Sequence, residues 1–251
     1  MVRNEPHTSS GDVERIIMQA ALITGGSRGF GLALATDLIE EGWSVVIDGR
    51  DPSALDEAVR RLRATPGSGV VRGIAGDVAD PRHRAALAEA VAEVGRLDLL
   101  VNNASVLGPS PLPGLADYPL DEFERVLAVN VTAPLALLQA TLPFLREHHG
   151  VVVDITSDAG VEGYAGWGGY GASKAALEQL SNVLAAEEPN VRVYWFDPGD
   201  MRTAMHQAAY PGEDISDRPL PETVVPALRR LLREAPPSGR FRAAELSGAE
   251  P

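Results

Sequence analysis

ALITGGSRGFGLALATDLIEEG, residues 21–42, joins a short apolar run to a segment whose apolar residues recur at helical spacing, with glycines crowded into the join. Ala20 to Thr24 predicts a buried strand and Gly31 to Glu40 a helix. Gly25, Gly29 and Gly31 stand between them in a T-G-x-x-x-G-x-G arrangement. Glycine lets the backbone turn tightly and lets a ligand approach main-chain N–H groups, and a helix start offers those groups to an anion. The spacing differs from the G-x-G-x-x-G fingerprint but meets the same need, a βα turn that receives a pyrophosphate. Glycines that merely tighten a turn are the alternative, and the rest of the chain has to decide.

Outward from that turn the chain alternates. Strands are predicted at Trp43 to Ile47, Val70 to Ala75, Leu97 to Val101, Gly150 to Ile155 and Val191 to Phe196. Helices are predicted at Leu55 to Ala64, Arg82 to Val94 and Ala172 to Glu187, with a long helical region from Leu120 to Arg146. Strands of Val, Ile and Leu without polar alternation belong to a parallel sheet covered on both faces. The expected architecture is α/β: a doubly wound, Rossmann-type parallel sheet in a three-layer α/β/α arrangement, with ligands beyond the carboxyl ends of the strands. Residues 19–251 read as one domain of this kind, preceded by a flexible arm over residues 1–18, where Met18 offers an alternative start.

Composition narrows the chemistry. With 22 basic against 35 acidic side chains the formal charge is -13, so the average surface repels nucleic acid and anionic membrane. The absence of cysteine excludes disulfides and thiolate chemistry. The five histidines show no metal-ligand spacing and are expected to be solvated, with His206 the one candidate for a pocket wall. No metal site, no nucleic acid and no membrane partner is expected. No run is expected to reach the apolar length of a spanning helix, and the N-terminus lacks an export pattern, so the expectation is a cytoplasmic protein.

In VVVDITSDAGVEGYAGWGGYGASKAALEQL, residues 151–180, an apolar run ends just before Ser157, and Tyr170 and Lys174 follow four residues apart. On a helix that spacing puts phenol and ammonium on one face, where the cation favours the ionised phenol. A phenol's reference pKa of about 10 is high for acid–base work near neutrality. A neighbouring positive charge brings it toward use. Ser157 could hold a carbonyl or alcohol oxygen with which Tyr170 exchanges a proton.

These motifs together resemble the short-chain dehydrogenase/reductase family in its single-domain form, from about Gln19 to Arg240. TGGSRGFG resembles the family's nucleotide loop, which implies that Gly25, Ser27, Arg28, Gly29, Phe30 and Gly31 border the cofactor. Asp77, followed by Val78 in GDVAD, resembles the acid that contacts adenine. Asn102, Asn103 and Ala104 resemble the N-N-A-G stretch, with Ser105 in place of its glycine. Asn130 in LAVNV resembles the asparagine whose helix position holds a relay water, and Ser157, Tyr170 and Lys174 match the remaining catalytic set. DPGDMRT, with Pro198, Gly199 and Thr203, resembles the segment that cups the nicotinamide. The usual C-terminal T-G-x-x-x-x-x-D-G-G pattern is missing. What the resemblance implies is an oxidoreductase that interconverts a carbonyl and an alcohol by hydride transfer, Tyr170 acting as acid and base and Lys174 also gripping the cofactor ribose.

For the cofactor, the resemblance implies NADP(H): the discriminating acid of the family aligns with Gly49, and Arg50 matches the arginine of NADP(H)-preferring members, with Arg28 a second cation. Asp48 keeps NAD(H) open, because a carboxylate there can bind free ribose hydroxyls. A small or medium ketone or aldehyde is the expected substrate, enclosed by Val106 to Pro119 and by a loop at about 200–219. Candidate walls are Leu107, Leu112, Leu115, Met205 and Tyr210, with Tyr164 and Trp167. An inactive dinucleotide-binding scaffold is the first alternative, although all four catalytic matches are intact. A sugar-nucleotide epimerase or dehydratase is the second, although those relatives carry a longer substrate domain. Apolar residues on the helices around Leu135 and Val183 and the family resemblance imply a homodimer, with the tetramer common in the family as the alternative.

Overall fold

The computed structural model describes residues 18–67 and 69–246. The expected arm lies outside them except for Met18. Seven strands, β1 Ala20–Ile23, β2 Ser44–Gly49, β3 Val71–Ala75, β4 Leu99–Asn102, β5 Val151–Ile155, β6 Arg192–Asp197 and β7 Gly239–Arg242, form one sheet in the order β3-β2-β1-β4-β5-β6-β7. Every neighbouring pair is parallel. The order turns back on itself between β1 and β4, which opens a crevice at the carboxyl ends of the strands.

Alternate residues of each strand feed the two layers. Ala21, Ile23, Val45, Ile47 and Val101 pack under α1 Gly29–Glu40, α2 Pro52–Ala64 and α8 Val225–Glu234, through Leu34, Leu38, Leu62, Leu228 and Leu231. Leu22, Val46, Leu100, Val152 and Val193 face α3 Pro81–Val94, α5 Ala133–Glu147 and α6 Gly168–Glu187 through Leu87, Leu137 and Leu184. Each fully buried Leu or Ile stabilises the fold by roughly 1.5–3 kcal/mol. The caps are local: Asp51 accepts from the N–H groups of Ser53 and Ala54, Asp80 from that of Arg82, and Gly95 ends α3 at φ 76°.

Sequence periodicity missed the last strand. GRFR is four residues long with arginines at alternate positions, so it carries no apolar run, yet it docks on β6 at the sheet edge. The long helical region is observed as α4 Leu120–Leu127, a π-turn at Ala128–Thr132 and α5. Leu120–Glu147 is by length and composition apolar enough to cross a membrane, which corrects the expectation that no such run exists. One of its faces, with Val126, Val129, Leu137 and Leu145, is buried within the protein.

Candidate active site

The glycine turn sits where β1 hands the chain to α1. Gly25 takes φ 66°, which a side chain tolerates poorly, and a Cβ there would lie 3.0 Å from Ala104. Thr24 fastens this turn to the end of β4, its hydroxyl oxygen accepting from the N–H groups of Asn103 and Ala104, each at 3.0 Å. The Asn103 amide donates to the carbonyls of Thr24 and Gly25. Arg28, the N-cap of α1, is extended and supplies no side-chain cap, so the helix N–H groups are left for another acceptor. That donor set suits a pyrophosphate. Ser27 and Gly29 border the same turn, whereas the Phe30 side chain turns into the core and stacks on Phe196 at 6.2 Å, leaving only its backbone to a ligand.

Asp48 does not face outward from the end of β2. It is 1 % exposed, accepts from the Gly25 N–H at 2.6 Å and lies 2.9 Å from His83 Nε2. His83 is therefore buried, against the expectation of solvated histidines; His206, the one read as a candidate pocket wall, is buried too, 4.9 Å from the Tyr210 ring. His206 sits in α7 Ala204–Ala209, which Thr203 caps by accepting from the His206 N–H. Arg28 and Arg50 are exposed and make no ion pair among the described residues. Asp77 accepts from the Ala79 N–H at 2.9 Å and pairs with Arg125. Partial burial pushes its carboxyl up, but those two partners together hold it below the usual range. Val78 packs beneath Ala104 and Val106.

Tyr170 lies in the first turn of α6 and Lys174 one turn on. The turn is brought close to the one after β5 because residue 171 has no side chain; a Cβ on Gly171 would stand 2.5 Å from the Ala159 carbonyl oxygen. Ser157 is thereby set near Tyr170. Its hydroxyl donates to Asp158 Oδ1 at 2.9 Å and accepts from the Ala159 N–H at 3.2 Å. Lys174 is 2 % exposed, donates from Nζ to the Ile155 carbonyl at 2.7 Å and stands 5.5 Å from the Tyr170 ring centroid. Burial pushes Lys174 down to about 8, against the pull of Asp154 and Glu178.

Burial also pushes the Tyr170 phenol up, and the carboxylates of Asp197 and Asp158 add to it, while the hydroxyls of Ser157 and Ser105 pull the other way. The lowering expected from the lysine four residues on does not appear among the causes that act on the phenol. The physical reason is that the ammonium is aimed at the Ile155 carbonyl and the ring face, while desolvation and two carboxylates act on the phenol.

Asn130, in the π-turn, spends its whole amide on the neighbouring loop and on α6. Oδ1 accepts from Val106 N–H and Ser105 Oγ, and Nδ2 donates to Val106 O and Ser173 Oγ. Nothing in that side chain is left for a water; a relay at this position would have to use its main chain, where the π-turn interrupts the helical ladder.

Leu107 and Tyr170 form a small cluster with Leu112, Trp167 and Met205, and Trp167 meets Tyr170 edge-on at 5.7 Å and Tyr210 at 6.2 Å. Leu115, expected in this wall, is 73 % exposed; Tyr164 stands at the rim and donates to Asp158 Oδ2. The loop at 200–219 is tied at its base by the Arg202 N–H to the Pro219 carbonyl. Ser110 Oγ joins the two variable stretches by donating to Ala208 O at 2.7 Å. Pro198 is buried beside this loop, and Gly199, at φ 72°, donates to Asp197 Oδ1.

Four participants were not singled out from sequence: Asp158, Asp197, Glu178 and Arg240. Asp158 adjoins Ser157 and Asp197 opens DPGDMRT, so a carboxylate beside each motif was the available signal. Nothing in SGRFR announced Arg240.

A family model for short chain dehydrogenase matches residues 19–214. The chain is 40% identical over 178 residues to a rhamnolipid-biosynthesis 3-oxoacyl-[acyl-carrier-protein] reductase of Pseudomonas aeruginosa, covering 66% of each. It is 36% identical over 199 residues to sepiapterin reductase of Mus musculus, covering 75% of this chain and 76% of that protein. The solved alcohol dehydrogenase of Thermococcus sibiricus, complexed with 5-hydroxy-NADP, superimposes with a TM-score of 0.79 at 25% identity, over 90% of this chain and 95% of that one. The fold, the glycine turn and the Ser–Tyr–Lys constellation define a dinucleotide-dependent oxidoreductase architecture. The chain belongs to the short-chain dehydrogenase family.

Proposed function

We propose that this protein is an NADP(H)-dependent carbonyl reductase acting on a small or medium ketone or aldehyde. The observation that carries the proposal is the convergence of Ser157, Tyr170 and Lys174 at the carboxyl ends of the strands, across the crevice from the glycine turn. The bound nicotinamide supplies the hydride. Tyr170, kept protonated by burial, donates its proton to the substrate oxygen as negative charge develops there. The Ser157 hydroxyl turns from Asp158 to the same oxygen and orients it. Lys174 holds positive charge beneath the phenol and steadies its ionised form after transfer, and Leu107, Trp167 and Met205 exclude water from one side.

Binding falls to Gly25, Ser27, Arg28, Gly29, the Phe30 backbone and Gly31 for the pyrophosphate, to Asp77 and Val78 at the adenine end, and to Asn103 and Ala104 between. Tyr170 and Lys174 take the ribose, and Pro198, Gly199 and Thr203 the nicotinamide. Preference for the 2′-phosphate is supported by the exposed guanidinium groups of Arg28 and Arg50. Asp48, the ground for NAD(H), has both oxygens engaged by Gly25 and His83. At Gly49 even a Cβ would meet Ser27 Oγ at 2.7 Å, which leaves no room for an acid. The Pseudomonas and mouse relatives are reductases by name, which supports the direction.

Steady-state turnover of a ketone and aldehyde panel tests the reading. Expected are a higher kcat/KM with NADPH than with NADH, and loss of about 10²–10⁴-fold in rate for Tyr170→Phe with NADPH binding retained. Near-normal turnover by that variant would remove Tyr170 from the mechanism. Assembly belongs to the same reading: the outer faces of α5 and α6 expose Leu135, Ala140, Ala172, Ala175 and Val183, a surface suited to a twofold mate.

A further inference from the structure

Arg240 reaches inward from the edge strand β7 and meets three separate pieces of the site. Its Nε donates to Glu178 Oε1 of α6 at 3.0 Å. Its Nη2 donates to the Ser157 carbonyl at 3.2 Å and to Asp197 Oδ2 at 3.1 Å. The side chains are well covered, at 21% exposure for Arg240, 14% for Glu178 and 7% for Asp197. Glu178 in turn accepts from Thr156 Oγ1 at 2.7 Å, and Asp197 Oδ1 from the Gly199 N–H at 3.0 Å. One guanidinium fork thus joins the serine's turn, the helix of Tyr170 and the loop at 197–199. A planar five-donor group suits such bridging, and a lysine would not reproduce it.

We propose that Arg240 is a positioning residue of this active site, clamping the Ser157 turn to the loop at 197–199 and screening the Asp197 carboxylate from Tyr170. The proposal rests on the reading of Ser157 and Tyr170 as the reacting groups. The charges around the phenol are Asp158 from the turn after β5, Asp197 from the end of β6 and Lys174 on α6. Behind them stand Arg240 and, 3.8 Å from Asp197, Arg242 on β7, with Glu178 on α6. Without Arg240, Asp197 keeps its negative charge near a phenol that must release a proton in alcohol oxidation. The pair as a whole is neutral, so removing both members restores the balance.

The test compares wild type with Arg240→Gln, Asp197→Asn, the double variant and Tyr170→Phe. Three quantities are read: the pH profile of kcat/KM for oxidation of a secondary alcohol with NADP+, the NADPH dissociation constant from tryptophan fluorescence, and the melting temperature. Arg240→Gln should move the rising limb of the profile up by about one pH unit, a tenfold change in proton affinity. Asp197→Asn should move it down, and the double variant should return near wild type. NADPH should bind about tenfold more weakly to Arg240→Gln, as expected when a charged hydrogen-bond partner is removed. A lowered melting temperature with limb and NADPH affinity unmoved overturns the proposal and makes Arg240 a structural residue. Should Arg240→Gln not fold, an unmoved limb in Asp197→Asn overturns the screening claim. Full turnover in Tyr170→Phe defeats the reading of the site itself, and the NADPH constant then still decides the clamp.

Discussion

At the scale of single residues, the site is built from groups held in costly states. Lys174 is buried with its ordinary value pushed down to about 8 from 10.5, so between those pH values the folded chain binds fewer protons than the unfolded chain. Stability contributed by this residue therefore rises with pH across that window, and below pH 8 the buried ammonium costs on the order of 3 kcal/mol. Its charge-assisted bond to the Ile155 carbonyl returns about 1.5–3 kcal/mol of this. Lys174→Met should abolish turnover while melting no lower than wild type at pH 7, and the difference should shrink as pH rises from 8 toward 10.5. A melting temperature several degrees lower at pH 7, measured by calorimetry, would contradict the burial cost. On the proposed mechanism, the lysine serves the chemistry at the expense of stability.

Among the elements, the contact of α6 with the turn after β5 governs the geometry. It depends on glycine at 171, where a Cβ would press on the backbone oxygen of Ala159, an atom that cannot rotate away. Alanine is the better helix former by about 1 kcal/mol, but overpacking against backbone costs about 1–3 kcal/mol, so the clash outweighs the propensity. Gly171→Ala is expected to lower the melting temperature and to reduce kcat at least tenfold, because the helix start carrying Tyr170 must move from Ser157. Asp56→Ala, on the exposed face of α2, should leave both near wild type. An active, equally stable Gly171→Ala protein would show that the two elements have slack.

For the whole molecule, the outer faces of α5 and α6 leave apolar side chains uncovered while their inner faces fill the core. Leu135 is 36% and Val183 41% exposed, on helices whose other face positions Asn130, Tyr170 and Lys174. A mate packed on this surface would steady the active-site helix. Sedimentation equilibrium at micromolar protein is expected to give twice the 26.6 kDa of one chain. Leu135→Asp with Val183→Asp should shift it to monomer, the charges being costly to bury at a twofold axis. A concentration-independent monomer in wild type would remove the interface; a tetramer would add the β7 edge as a second one.

The glycine turn, the six apolar strands and the serine, tyrosine and lysine were legible because each depends on neighbours in the chain: a βα join, a run of Val and Leu, a helical four-residue spacing. The caps Asp51 and Asp80, each standing before a proline, lie ahead of the helix starts that periodicity places at Leu55 and Arg82, because a capping residue adds nothing to the apolar pattern. Which way a carboxylate faces is not a local property. Asp48 reads as a ribose ligand until β2 is packed beside β1 and α3, where the Gly25 N–H and His83 claim it. Nor could periodicity find β7, whose four residues become a strand only because β6 offers a free edge. Arg240 lies 83 residues from the Ser157 carbonyl it holds, and that meeting exists only once the sheet is complete. The proton affinity of Tyr170 belongs to the same class: spacing supplied the lysine, but the burial and the Asp197 charge that oppose it come from segments joined only by the fold.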